Sequence, residues 1–231
     1  MWRSIKVLTI LLLATAAAAG AGDNVKWSKS KKIEYFPYEN TFRDVNIGEE
    51  KVQDKYMVSW YPVTRMNPVE FVDVTYISWE MYCVALKTHI SEGKISENEA
   101  EGMATEDKDK FLNLAVFAVA VSVNDSSMFD LLEPGNWTAE AEVGGSVRET
   151  TVSNRLSFGL PALFFSAGTS NEVTFSGWRS LTWHIWGYTL PVATFFVAFK
   201  PEENWNPKSG MKLILRCNDV TRGFQWRFEQ D

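Results

Sequence analysis

Trp137-Thr138-Ala139-Glu140-Ala141-Glu142-Val143-Gly144-Gly145-Ser146-Val147-Arg148-Glu149-Thr150-Thr151-Val152 is the stretch that decides the fold class. Trp137, Ala139, Ala141 and Val143 alternate with Thr138, Glu140 and Glu142. That is the period-two signature of a strand with one dry face and one wet face. Gly144-Gly145 can supply the positive φ angles of a tight hairpin turn, and Val147 to Val152 returns as the partner strand. A hairpin with one wet face belongs to an antiparallel sheet whose other face packs on a core.

The pattern continues in both directions. Towards the C-terminus, strands are expected at 156–165, 172–178, 181–190, 192–199 and 211–217, and Phe224-Gln225-Trp226-Arg227-Phe228 alternates strictly. Asn206-Pro207-Lys208-Ser209-Gly210 is a turn cluster. Towards the N-terminus, Phe111 to Val123 is apolar on both parities and rich in β-branched residues, which fits a central strand covered on both faces. Tyr76 to Leu86 reads as a strand preceded by Val69 to Val74, and Tyr56 to Trp60 as another that stops before Pro62. Ser96-Glu97-Asn98-Glu99 is a capping box, and the polar segment from Glu97 to about Lys110 reads as a surface crossover helix.

These elements predict an all-β fold: an antiparallel β-sandwich, immunoglobulin-like or jelly-roll-like, with one short crossover helix. It would occupy 56–231 as a single domain, with 22–55 as an N-terminal arm that packs as an edge strand or loop. An outer-membrane barrel is the rival, but the doubly apolar run from Phe111 to Val123 breaks the alternation such strands need.

Residues 1–21 read as a cleaved signal peptide. Arg3 and Lys6 precede the apolar run Val7 to Ala19, and Ala19-Gly20-Ala21 fits a small-residue cleavage site. The run is too short to span a bilayer, so the expectation is a periplasmic or secreted protein with no stable membrane insertion after cleavage. The chain carries a formal net charge of −6, and removing the two basic residues makes the remainder more acidic still. Such a balance argues against nucleic acid as a partner. The cluster Lys26, Lys29, Lys31 and Lys32 reads as a solvated N-terminal segment, with a membrane-surface contact as the alternative.

The two cysteines, Cys83 and Cys217, fall on apolar faces of strand-like runs, so both sulfurs are expected to point inward. In an oxidising compartment they could form one disulfide, worth up to about 5 kcal/mol in the chain-entropy model. Two separate buried thiols are the alternative.

From Phe111 to Phe228 the order of features resembles exported bacterial β-sandwich proteins of no assigned activity. The features are the long apolar strand ending in Asn124-Asp125, then Asp130-Leu131-Leu132, Asn136-Trp137, the Gly-Gly hairpin, Tyr188-Thr189-Leu190-Pro191 with Phe195 to Phe199, and the closing Gln225-Trp226-Arg227-Phe228. The resemblance implies an exported sandwich and brings no catalytic residue with it.

Candidate site residues are sparse. Trp183, His184, Trp186 and Tyr188 sit in one short segment, and parity puts His184, Trp186 and Tyr188 on one face and Trp183 and Ile185 on the other. A flat row of aromatic rings suits stacking on sugars, whereas core packing is the plainer explanation. His184 has the chemistry of a general acid or base, but the linear sequence offers it no partner; His89, at a strand end, is less informative. Glu97, Glu99 and Glu101 superficially match the start of a calcium loop, yet Lys108 stands where a bidentate Glu is required. No metal, cofactor or catalytic motif is recognisable. Asp125, Asp130 and Glu133 near a strand end give only a weak motive for a glycosidase-like site. The leading expectation is therefore a non-catalytic binding or interaction module whose partner is a protein or a glycan. The alternatives are a hydrolase acting on envelope or polymer material, and an assembly protein pairing through an edge strand.

Overall fold

The computed structural model describes residues 25–62, 69–124, 126–143, 146–153, 165–167, 173–175, 184–185, 188–189, 192–202 and 205–229. In chain order the elements are β1 (Lys26–Ile33), α1 (Glu49–Tyr56), β2 (Met57–Trp60), β3 (Val69–Tyr76), α2 (Trp79–Ser91), α3 (Glu97–Asn113) and β4 (Ala115–Val123). There follow β5 (Thr138–Val143), β6 (Ser146–Glu149), β7 (Thr151–Ser153), β8 (Phe165–Ala167), β9 (Val173–Phe175), β10 (His184–Ile185) and β11 (Tyr188–Thr189). The last three are β12 (Val192–Phe199), β13 (Met211–Cys217) and β14 (Val220–Phe228).

Two five-stranded sheets dominate, one ordered β1-β14-β13-β5-β6 and the other β2-β3-β4-β12-β7. Neither closes into a barrel among the described residues. The second sheet is antiparallel throughout. The first is mixed, because β1 runs parallel to β14 while its other pairs are antiparallel. The expected hairpin is present in part as β5–β6, with Val143 opposite Ser146; its return strand stops at Glu149, and Thr151–Ser153 pairs instead with β12 of the other sheet.

The sheets meet at large aromatic side chains. Phe117 on β4 lies 4.8 Å from the Trp226 ring on β14 and 6.1 Å from Phe199 on β12. Residues from both sheets and all three helices join one buried apolar cluster. The helices gather at a common end: α1 leads into β2, α2 follows β3, and α3 precedes β4.

Three helices replace the single crossover helix expected from sequence. The largest correction falls on Tyr76 to Leu86, where the strand stops at Tyr76 and α2 begins at Trp79. Ser78 starts the helix by accepting a hydrogen bond from the Met81 amide at 3.3 Å. Gly93, with φ +70°, ends it, and the Lys94 amide donates to His89 O at 2.9 Å. Every residue from Trp79 to Leu86 is buried. A run covered on all sides shows no clean period, so parity was a false guide. Ser78→Ala should cost about 1 kcal/mol, measurable by urea denaturation; an unchanged midpoint would mean the cap contributes nothing.

The capping box at Ser96 and Glu99 forms as expected. The helix it opens runs on to Asn113, and Phe111 belongs to α3 rather than to the following strand. Phe111 packs against Trp79 and Tyr82 at 5.5 and 5.2 Å. All nine residues of β4 are buried, as its doubly apolar pattern requires.

The arm is tied down. Trp79 Nε1 donates to Asn40 O at 2.9 Å, and Lys87 Nζ donates to Val45 O at 2.6 Å. β1 takes an edge position. The Trp27 ring on β1 lies directly over Gly223 of β14, where a Cβ would come within 2.4 Å of it.

The expected disulfide is absent: Cys83 and Cys217 are both free, buried thiols. Cys83 is on α2, where burial and the nearby Glu80 and Asp44 push its thiol far up. Cys217 ends β13, raised by burial and by Asp130. Helix and strand carry the two sulfurs into different surroundings.

Candidate functional site

At the helix-bearing end of the sheets, four tyrosines converge from separate parts of the chain. Tyr35 and Tyr38 come from the arm, Tyr56 ends α1, and Tyr76 ends β3. Tyr56 and Tyr76 rings meet edge-on at 5.9 Å, Tyr38 lies 6.5 Å from Trp79, and Tyr35 meets Phe228 edge-on at 6.2 Å. Together with Ser78 and Glu80 they line a narrow crevice with room inside for about one water molecule; Tyr38, Tyr56 and Tyr76 are buried, and Tyr35 is half-buried.

Glu80 is the charged group at this crevice. It is 6% exposed, accepts from Tyr56 Oη at 2.7 Å, and pairs with Lys55 Nζ at 2.5 Å. Burial, followed by the neighbouring Glu80 charge, holds the Tyr56 hydroxyl well above its ordinary range. Burial does the same for Tyr76 and pushes Tyr35 up to about 12. These hydroxyls are therefore neutral donors and acceptors throughout the physiological range. Ser78 caps α2 by accepting from the Met81 amide, and it also hydrogen-bonds the Tyr56 hydroxyl. The crevice brings together aromatic rings, hydroxyls and one paired carboxylate.

A second buried polar group fastens α2 to α3. Tyr82 Oη donates to Asp107 Oδ2 at 2.5 Å, and Lys110 Nζ pairs with Asp107 Oδ1 at 2.5 Å. Its partners are satisfied within the fold. Among the described residues, no group of three His, Cys, Asp or Glu side chains could hold a metal ion.

Of the residues singled out from sequence, Trp183 and Trp186 lie outside the described residues. His184 is in β10 and Tyr188 in β11, which pair antiparallel with His184 opposite Thr189 and Ile185 opposite Tyr188. The expected single strand over 181–190 is thus a tight hairpin at this point. His184 and Tyr188 therefore stand on opposite faces of this ribbon, not on one face as parity along a single strand suggests. The tyrosine crevice was missed, because its members are scattered; its one local trace was the aromatic run Tyr35-Phe36-Pro37-Tyr38.

No protein-family profile and no curated protein matches the chain. Among solved structures, it is similar to a protein from Burkholderia pseudomallei K96243 described as a novel protein of unknown function. That similarity has a TM-score of 0.36 at 8% sequence identity, covering 77% of this chain and 80% of that one.

Proposed function

We propose that the chain is an exported, non-catalytic binding protein, built on a helix-capped two-layer β-sandwich, that holds a glycan by aromatic contact. The observation behind this reading is the Tyr35 ring, half-buried at a narrow crevice walled by the buried Tyr38, Tyr56 and Tyr76 and by Ser78 and Glu80. Tyrosines give rigid stacking area and hydroxyl groups together, at low cost in side-chain entropy. Export rests on the N-terminal signal; no helix among the described residues is long and apolar enough to cross a membrane.

The test is titration of the full chain with cellohexaose and chitohexaose, followed by intrinsic fluorescence. Tyr35→Ala, at the half-buried rim, should weaken binding at least about tenfold while leaving the unfolding transition in place. Trp186→Ala tests the aromatic segment read from sequence in the same assay. If neither sugar binds up to about millimolar concentration, the glycan reading is wrong.

One observation favours a protein partner as a second reading. β6 is an edge strand of the first sheet, and its Val147 is 67% exposed. An incoming strand could pair there.

A further inference from the structure

On the edge strand β1, Trp27 lies opposite Gly223 of β14, Lys29 opposite Gln225 and Lys32 opposite Arg227. Phe224, Trp226 and Phe228 alternate with those β14 residues and belong to the core. Gly223, Gln225 and Arg227 therefore stand on the outer face of the first sheet, and Trp27, Lys29 and Lys32 stand there with them. The register shifts between Lys29 and Lys32, and this bulge returns Lys32 to the outer face. Without it Lys32 would fall opposite Phe228, where Ile33 enters the core. The face is open over four strands. The outward positions of β5 and β13 are all exposed or half-buried, Lys29, Lys32 and Arg227 are exposed, and Trp27 is half-buried.

Charge is unevenly spread over this face. Towards its centre Lys212 and Arg216 are matched by Glu142 and Glu140, at 2.8 and 3.1 Å. At the β1 side Lys26, Lys29, Lys31 and Lys32 form no ion pair among the described residues. Arg227 Nε donates to Ser30 O at 3.0 Å, which seats its guanidinium beside them. Along β1 and β14 carboxylates appear only beyond the strand ends, at Glu34, Asp219 and Glu229. The result is a cationic stripe of about 20 Å on an acidic protein, at about 3.3 Å per strand residue. Within it the Trp27 ring covers Gly223, with Lys212 Nζ 5.5 Å from the ring centre. A tryptophan held on the outer face gives flat apolar surface of the kind a sugar ring stacks on. A linear polyanion can follow such a stripe. A flat anionic bilayer would rest on the whole face and meet Glu140 and Glu142 as well. Single-stranded nucleic acid is held on successive aromatic rings, and here there is one.

We propose that Trp27, Lys29, Lys32 and Arg227 form a binding face for an acidic polysaccharide that carries a carboxylate on each sugar ring. One sugar stacks on Trp27, and the carboxylates accept from the N–H groups of Lys29, Lys32 and Arg227. The tyrosine crevice is lined by Phe228 from the opposite face of β14, so the two sites are separate and neither rests on the other.

The full chain is titrated with hexagalacturonate at neutral pH and low salt, with uncharged cellohexaose, a short oligothymidylate and phosphatidylglycerol vesicles in parallel. Hexagalacturonate should bind with a Kd of about 0.1 mM, and about tenfold more weakly at about 0.5 M sodium chloride. Lys29→Glu combined with Lys32→Glu changes two exposed positions and should weaken binding at least about tenfold. Trp27→Ala should do the same. The lysine pair decides the matter even if Trp27→Ala fails to fold. Any binding of cellohexaose should be indifferent to the lysine changes, which separates this face from the crevice. No binding of hexagalacturonate up to about 5 mM, or equal affinity with and without the two lysines, overturns the site. Full binding by a folded Trp27→Ala chain overturns the stacked sugar. Tighter binding of the oligothymidylate or of the vesicles overturns the polysaccharide assignment.

Discussion

Replacing Trp226 by Ala should destabilise the protein by about 3–5 kcal/mol, enough to unfold a domain of ordinary stability at ambient temperature. Trp226 is among the largest fully buried side chains, at 0% exposure. Its ring is packed at 4.8 Å against Phe117 of the opposite sheet, so truncation opens a void where the two layers meet. Its Nε1 also donates to Tyr56 O at 2.7 Å, satisfying a backbone carbonyl at the end of α1. Trp226→Phe keeps an aromatic ring but loses that donor, and should cost less. Denaturant titration of both variants checks the order. A Trp226→Ala midpoint equal to wild type would show that the sheets do not depend on this contact.

Asp73→Asn is expected to act in the opposite sense. The Asp73 carboxyl rises from 3.8 to about 6 on folding, through burial. The unfolded chain therefore releases this proton first as pH rises, and the folded chain holds it until about pH 6. Between those values the folded state binds more protons, so stability falls as pH increases and stays lower above about pH 6. The shift corresponds to about 3 kcal/mol against the folded state at neutral pH. Asparagine cannot ionise and avoids this penalty. The variant should be more stable than wild type by up to about 3 kcal/mol at pH 8, with the gap closing near pH 4. Thermal unfolding at the two pH values tests it. A gap that is constant across the range would show that the carboxyl does not titrate in the folded chain.

The sheet strands were legible where one face is wet. Thr138, Glu140 and Glu142 mark the outside of β5, and Lys212 and Arg216 mark that of β13, so alternation reads directly. Legibility failed at both extremes of burial. Trp79 to Leu86 is covered all round, and neither the helical nor the strand period survives in it. Its true signals were Ser78 before the run and Gly93 after it, local punctuation outweighed by an apparent alternation. β1 failed for the opposite reason. Only Ser30 and Ile33 are buried in it, and its lysines look like a solvated tail. Lysine-rich edges are a common way to discourage further strand pairing. The site was harder still. The spacing from Tyr35 to Tyr76 is set by β2, β3 and α1 folding back on one another, and no local motif records it.

The parallel pairing of β1 with β14 sets a condition on when the molecule can be finished. Lys26 lies opposite Arg222 and Ile33 opposite Phe228, and Ser30 accepts from the Arg227 amide at 2.9 Å. The strand made earliest thus waits for nearly the whole chain before its ladder can form. Such distant contacts close slowly, because the intervening chain must be ordered first. During synthesis the growing chain holds an incomplete first sheet and an unlatched arm. A chain that leaves its compartment threaded rather than folded would lose nothing by that delay, since its final latch closes only once β14 has arrived.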